Sequence, residues 1–195
     1  MKHLFLSFLL LVAYSCKNEN AQVDYKADTS APVDPANLTV PSSCTLITEA
    51  QVEEILKTKS GVSLKEANNP QDNKTKACFF KWEDDATPNV GILIQLMTNP
   101  VYEEYPEYVQ NFISNKLSHG EMEMGSNQPV AYHEFNAGGK RGAYSFQQAR
   151  FYWAYNNNYL FMLAFNISTM SEAKMKKAAE KIAEILNKNM DGQIK

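Results

Sequence analysis

The period of the hydrophobic positions changes several times along the chain, and each change predicts an element. Leu4 to Val12 form one apolar run broken only by Ser7. Residues 17–40 carry no sustained period of 2.0 or 3.6, contain Pro32 and Pro35, and read as a flexible tether. The folded part is expected to begin at Pro41. Thr48 followed by Gln51 has capping-box spacing, and Ile47 with Val52 that of a hydrophobic staple. Val52, Ile55 and Leu56 then mark one face of a helix that should stop near Gly61. Val62–Ala67 suits a short strand and residues 68–75 a loop. Lys76–Glu83 puts Cys78, Phe80 and Trp82 on one strand face, and Val90–Met97 continues it as a hairpin turned at Pro88 and Asn89.

Helical spacing returns at Tyr105, Val109, Phe112, Ile113 and Lys116/Leu117, with Pro106 placed to open the helix and Gly120 to end it. Pro129–Phe135 is expected as a strand and Gly138-Gly139 as a break. Three more strands follow: Gly142–Gln147, Arg150–Tyr155 and Tyr159–Phe165. The last two are joined by Asn156-Asn157-Asn158, residues that tolerate the positive φ of a tight turn. Phe151, Trp153 and Tyr155 share one face and Tyr159, Phe161, Leu163 and Phe165 another alternate set. Tyr152, Leu160 and Met162 make the opposite face apolar too, so the sheet centre should be covered on both sides. A closing helix is expected, capped by Thr169 or Ser171, with Thr169 and Glu172 at capping-box spacing. Its buried stripe is Met175, Ala179, Ile182, Ile185, Leu186 and Met190. Lys174, Lys176, Lys177, Glu180, Lys181 and Glu184 read as its solvated side, with no binding role. The fold class is α+β: a mostly antiparallel sheet with helices on both faces.

Composition narrows the setting. The 44% hydrophobic and 21% charged fractions are globular, and the net charge of −3 with no lysine-rich tract argues against nucleic acid and against electrostatic adhesion to anionic lipid. Lys2, the apolar run, and Ala13 and Ser15 before Cys16 have the layout of a secretory signal. The run is shorter than the roughly 20 apolar residues of a spanning helix. The segment resembles a bacterial lipoprotein signal, with Val12, Ala13, Tyr14 and Ser15 as a relaxed lipobox. The resemblance implies cleavage before Cys16 and lipidation of that cysteine. Residues 1–15 are then signal peptide, 16–40 a lipidated tether, and 41–195 one globular domain. The implied place is the cell envelope, held to the outer membrane through the N-terminal lipid, on its periplasmic or surface side. An ordinary cleaved signal with a free cysteine and an uncleaved anchor are the alternatives. With Cys16 assigned to lipid, Cys44 and Cys78 form an even remainder, which in an oxidising compartment reads as a disulfide rather than free thiols or metal ligands.

Cys44, Leu46, Ile47 and Thr48 leading into a short helix, then Cys78 and Trp82, a central helix, the stretch GAYSF to YLFMLAF and a terminal amphipathic helix resemble the PsbP-like α/β/α domains of bacterial lipoproteins. The resemblance spans about residues 42–190. It implies an antiparallel sheet with helices on both faces and a family that mostly binds or scaffolds; it carries over no catalytic residue.

Candidate chemistry is sparse. His119 and His133 each have an acid nearby, Glu121 and Glu134, yet adjacent residues of a strand point to opposite faces, so His133 and Glu134 do not converge. No nucleophile elbow, P-loop, HExxH or dinucleotide fingerprint occurs, and neither a metal nor a cofactor is expected. Gly138-Gly139-Lys140-Arg141-Gly142 fits a turn better than an anion cradle, because no helix start follows it. The surplus is aromatic. Tyr144, Tyr152, Trp153 and Tyr155, where exposed beside Arg141, Arg150 and the asparagine turn, would form a recognition surface for a protein or glycan. The expectation is therefore a non-catalytic envelope lipoprotein that binds a protein, glycan or small ligand through an aromatic-rich sheet edge or a groove between sheet and central helix. The alternatives are an envelope hydrolase with an unrecognised site and an accessory subunit of an envelope assembly.

Overall fold

The computed structural model describes Tyr25 and residues 28–69, 71–85 and 89–194. The Leu4–Cys16 signal, the cysteine assigned to lipid and the first part of the tether lie outside the described residues. No helix among those described is long and apolar enough to cross a membrane.

In chain order the elements are α1 (Glu49–Leu56), β1 (Ser63–Glu66), β2 (Thr75–Lys81), β3 (Gly91–Thr98), α2 (Tyr108–His119), β4 (Glu121–Met122), β5 (Pro129–Val130), β6 (His133–Ala137), β7 (Lys140–Ser145), β8 (Arg150–Tyr155), β9 (Tyr159–Asn166) and α3 (Glu172–Gln193). Seven strands form one sheet in the order β1-β2-β3-β9-β8-β7-β6, and β4 pairs with β5 separately. Every neighbouring pair is antiparallel. This is an α+β fold.

The α1 start forms as the sequence dictates. Thr48 Oγ1 accepts from the Gln51 backbone N–H at 3.3 Å and Gln51 Oε1 accepts from the Thr48 N–H at 3.0 Å, satisfying two of the orphan donors of the first turn. The helix stops sooner than expected, at Leu56, because Lys57 takes a left-handed φ of 53°. Val52 is fully buried, while Ile55 and Leu56, in the last turn, are only half-covered.

Strand alternation sorts the apolar side chains into two clusters. The larger joins Val52 of α1, Ile92, Ile94 and Leu96 of β3, Phe151, Trp153 and Tyr155 of β8, Phe161 and Leu163 of β9, and Met175, Ile182 and Leu186 of α3. The register explains the match: Trp153 lies opposite Phe161 and the two rings stack at 4.8 Å, so the alternate sets of β8 and β9 share a face. Burial of each such large side chain stabilises the fold by about 1.5–3 kcal/mol. The second cluster joins Val109 and Ile113 of α2 to Tyr132, Ala143, Tyr152 and Leu160. The Cys44–Cys78 disulfide is formed and ties the segment before α1 to β2.

Other boundaries also differ from the sequence reading. Pro106 and Tyr105 precede α2, whose N-cap is Glu107, and Tyr105 is exposed rather than part of the buried stripe. The expected strand 129–135 is divided into β5 and β6, because Pro129 and Val130 pair with β4 instead of the main sheet. The N-cap of α3 is Ser171, without a side-chain cap bond, so Thr169 and Glu172 do not form the expected box. The tether also ends earlier. Asn157 Nδ2 donates to the carbonyls of Asp28 and Ser30, Asn158 Oδ1 accepts from the Val33 N–H at 2.6 Å, and the Tyr159 hydroxyl donates to the Thr39 carbonyl. Pro35 and Val40 are buried. Residues 28–40 are therefore laid along the domain, their free polar backbone matched by the asparagine turn between β8 and β9.

Candidate functional site

The structure places the residues expected to form an aromatic recognition edge mostly inside. Trp153 is fully buried, and Tyr144, Tyr152 and Tyr155 are each below one-tenth exposed. Their polar ends are used internally. The Trp153 Nε1–H donates to Asn187 Oδ1 at 3.0 Å, the Tyr144 hydroxyl to Glu172 at 2.8 Å, and the Tyr155 hydroxyl to Asp191. Burial first and the Glu172 hydrogen bond second push the Tyr144 phenol up to about 12. Arg141 remains at the surface, paired to Glu134 at 2.6 Å, while Arg150 is directed to Glu121 at 3.6 Å. The asparagine turn is occupied by the chain's own residues 28–33. The expected edge is thus not a free surface, because ring area that looks surplus in sequence is consumed by a sheet with apolar partners on alternate positions of β8 and β9.

The histidines are likewise apart in role. His119 ends α2 with Nδ1 against Ser118 Oγ and the Asn115 carbonyl, and His133 on β6 packs its ring against Tyr144. Among the described residues no three His, Cys, Asp or Glu side chains gather as a metal site would require. Gly138 and Gly139, with φ of +62° and +84°, form the two-residue β6–β7 turn.

One polar cluster stands out beneath α2. Glu121 accepts from Lys116 at 2.5 Å and from the Tyr132 hydroxyl at 2.7 Å. Lys116 also lies over the rings of Phe112, Tyr132 and Tyr152. Burial raises the Glu121 carboxyl, but the Lys116 and Tyr132 hydrogen bonds and the charges of Lys116 and Arg150 outweigh it and hold the group below its ordinary value. The cluster seals the β4–β5 ribbon against α2; its groups are matched to one another.

The concave surface lies elsewhere. A groove of about 500 Å³ opens between the end of α1 and the first half of α3. Its floor and walls are Ile55, Leu56, Trp82, Ile167, Met170 and Ala178, and Lys57, Lys59, Lys174, Lys177 and Lys181 stand around it with Thr58, Thr169 and Asp84. The groove exists because α1 stops at Leu56: the last turn exposes Ile55 and Leu56 sideways, and Trp82, just past the end of β2, closes one side instead of continuing in the strand. A second depression of about 510 Å³, with Lys81, Glu83 and Asn89, adjoins it across Trp82 and Asp84. The volume is within the roughly 300–1,000 Å³ of small-ligand sites. None of the five lysines is in an ion pair of the described residues.

This groove lies between the first and last helices, away from the packing of α2 on the sheet, where Val109 and Ile113 meet Tyr152 and Leu160. A signal for it was present. Lys174, Lys177 and Lys181 are spaced i, i+3, i+7 on α3, a single stripe with Ala178; on their other side Lys177 and Lys181 border a shallower depression that they share with Glu180, Glu184, Asn136 and Gly138. No family model, curated protein or solved structure matches the chain.

Proposed function

We propose that this chain is a non-catalytic binding lipoprotein of a bacterial cell envelope, anchored through Cys16 at the outer membrane, that holds its ligand in the groove between α1 and α3. The single observation that carries the reading is the groove itself: an apolar floor with an accessible indole, ringed by polar and charged side chains. This is the composition of a site that captures a ligand by burial and orients it by its rim. The division of the core into one cluster with α1 and α3 and another with α2 supports a reading in which helices cover both faces of the sheet, as in a PsbP-like domain. The exposed side chains of Phe146, Met122 and Met124 lie outside this groove.

Lysine footprinting tests the reading without assuming the ligand's identity. The full chain is acetylated in intact membranes and again after purification, and each lysine is quantified by peptide mass. Lys57, Lys174, Lys177 and Lys181 should react more slowly in membranes than in the purified chain, whereas exposed Lys65 and Lys188 should not change. Equal rates at all six positions in both samples refute the groove as the binding site. The same digests report the anchor: an N-terminal peptide starting at unmodified Cys16, or extending to Met1, refutes lipidation.

A further inference from the structure

We infer that the groove between α1 and α3 accepts a soluble, single-chain anionic amphiphile, with the alkyl chain on the Trp82 floor and the acidic head among the lysines; this rests on the groove being the binding site. Two properties of the site choose this class. The floor offers only carbon and sulfur surface from Ile55, Leu56, Ile167, Met170 and Ala178 besides the indole, so it rewards an unbranched apolar chain and gives a sugar few partners. The rim carries five lysines on a chain whose net charge is −3, and only Asp84 among the groove residues is acidic. Three of those lysines come from one face of α3, Lys57 from the left-handed cap of α1 and Lys59 from the bend after it, so they converge on one mouth from two segments. Like charges so placed repel until an anion enters, which makes an anionic head preferable to a neutral one. The site is a groove rather than a flat face, which favours a single molecule over a membrane surface.

The test uses the full chain held in neutral-lipid nanodiscs and titrated with 6-bromohexanoate, 8-bromooctanoate and 10-bromodecanoate. Terminal bromine quenches a tryptophan only at contact, and the Trp82→Phe variant reports whatever quenching reaches Trp153 alone. Quenching of Trp82 should saturate, and affinity should rise about fourfold per added methylene. 10-Bromodecanol should bind at least tenfold more weakly than the decanoate. The Lys174→Gln/Lys177→Gln/Lys181→Gln variant should lose about tenfold or more for the carboxylates, since each exposed charge pair contributes up to about fivefold, and should keep its affinity for the alcohol. Glutamine has nearly the helix propensity of lysine, so α3 is preserved.

Equal affinity for alcohol and acid, unchanged by the lysine substitutions, overturns the anionic class while leaving a general apolar groove. A Trp82 response to phosphatidylglycerol nanodiscs but to none of the soluble acids assigns the face to a membrane surface and overturns the inference. Quenching no greater than in Trp82→Phe overturns it as well. If the groove lysines are nevertheless shielded in the membrane footprint, the groove binds another chemistry; if they are not, the binding reading fails with it.

Discussion

Asn187 is a buried polar residue on the apolar side of α3, and its replacement is a sharp test of how that helix is held. Its Oδ1 accepts from Trp153 Nε1 at 3.0 Å and its Nδ2 donates to the Ala137 carbonyl at 2.8 Å, with only 7% of the residue exposed. One amide thus joins α3 to β8 and to the end of β6. Asn187→Ala removes both bonds and leaves an indole N–H and a carbonyl buried without that partner. Each buried group so stranded costs about 1–3 kcal/mol, so the loss from the two should be about 2–6 kcal/mol. For a domain of this size that lowers Tm by about 4–24 °C. Urea unfolding followed by far-UV circular dichroism should give the same loss through the midpoint, with the slope unchanged. A double-mutant cycle between Asn187→Leu and Trp153→Phe should return a coupling of about 1–2 kcal/mol, because the second substitution removes the donor that the first one strands. A Tm within about 2 °C of the parent for Asn187→Ala would refute the bridging role.

The Cys44–Cys78 bridge has a sequence separation of 34, closing 35 residues, so chain entropy predicts that Cys44→Ala/Cys78→Ala lowers stability by up to about 3.8 kcal/mol, measurable in urea with and without reductant. The Glu121 carboxyl is held low when folded, so its stabilisation is complete above the ordinary carboxylate range and is lost as pH falls through the lowered value. Glu121→Gln should cost about 1–3 kcal/mol at pH 7 and flatten the pH dependence of the urea midpoint between about pH 5 and pH 2; an equally steep acid limb would exclude Glu121 as its source. Gly138 and Gly139 both have positive φ, but a Cβ on Gly138 would stand 2.9 Å from Glu184 Cα while Gly139 faces open space. Gly139→Ala should therefore cost about 1–2 kcal/mol by thermal melting, and Gly138→Ala clearly more.

Where a local signal and the burial pattern agreed, the elements were legible. The α1 capping box, the β8–β9 alternation and the two-glycine turn depend on residues within a few positions of one another, and all three formed. The β5–β6 division was not legible, since β5 pairs with β4, a two-residue strand that follows α2. Neither was the docked place of residues 28–40: their sequence is polar and proline-bearing, but their backbone groups meet Asn157 and Asn158, more than a hundred positions later. The aromatic residues misled for a related reason. Periodicity states which rings share a face, and not whether a helix or the chain's own N-terminal segment lies over that face.

The same division holds for function. The sequence alone determined the α+β class and the pairing expectation for Cys44 and Cys78, because each rests on local pattern or on a count of cysteines, and it is the whole ground on which an envelope address is proposed. Only the tertiary structure decided where a ligand could sit. Lys174, Lys177 and Lys181 form an ordinary solvated stripe until α1 ends beside them at Leu56 and Trp82 closes the side, and a groove is then made from residues that are more than a hundred positions apart. Concavity is a relation between elements, and the physical cause here is the point at which one short helix stops.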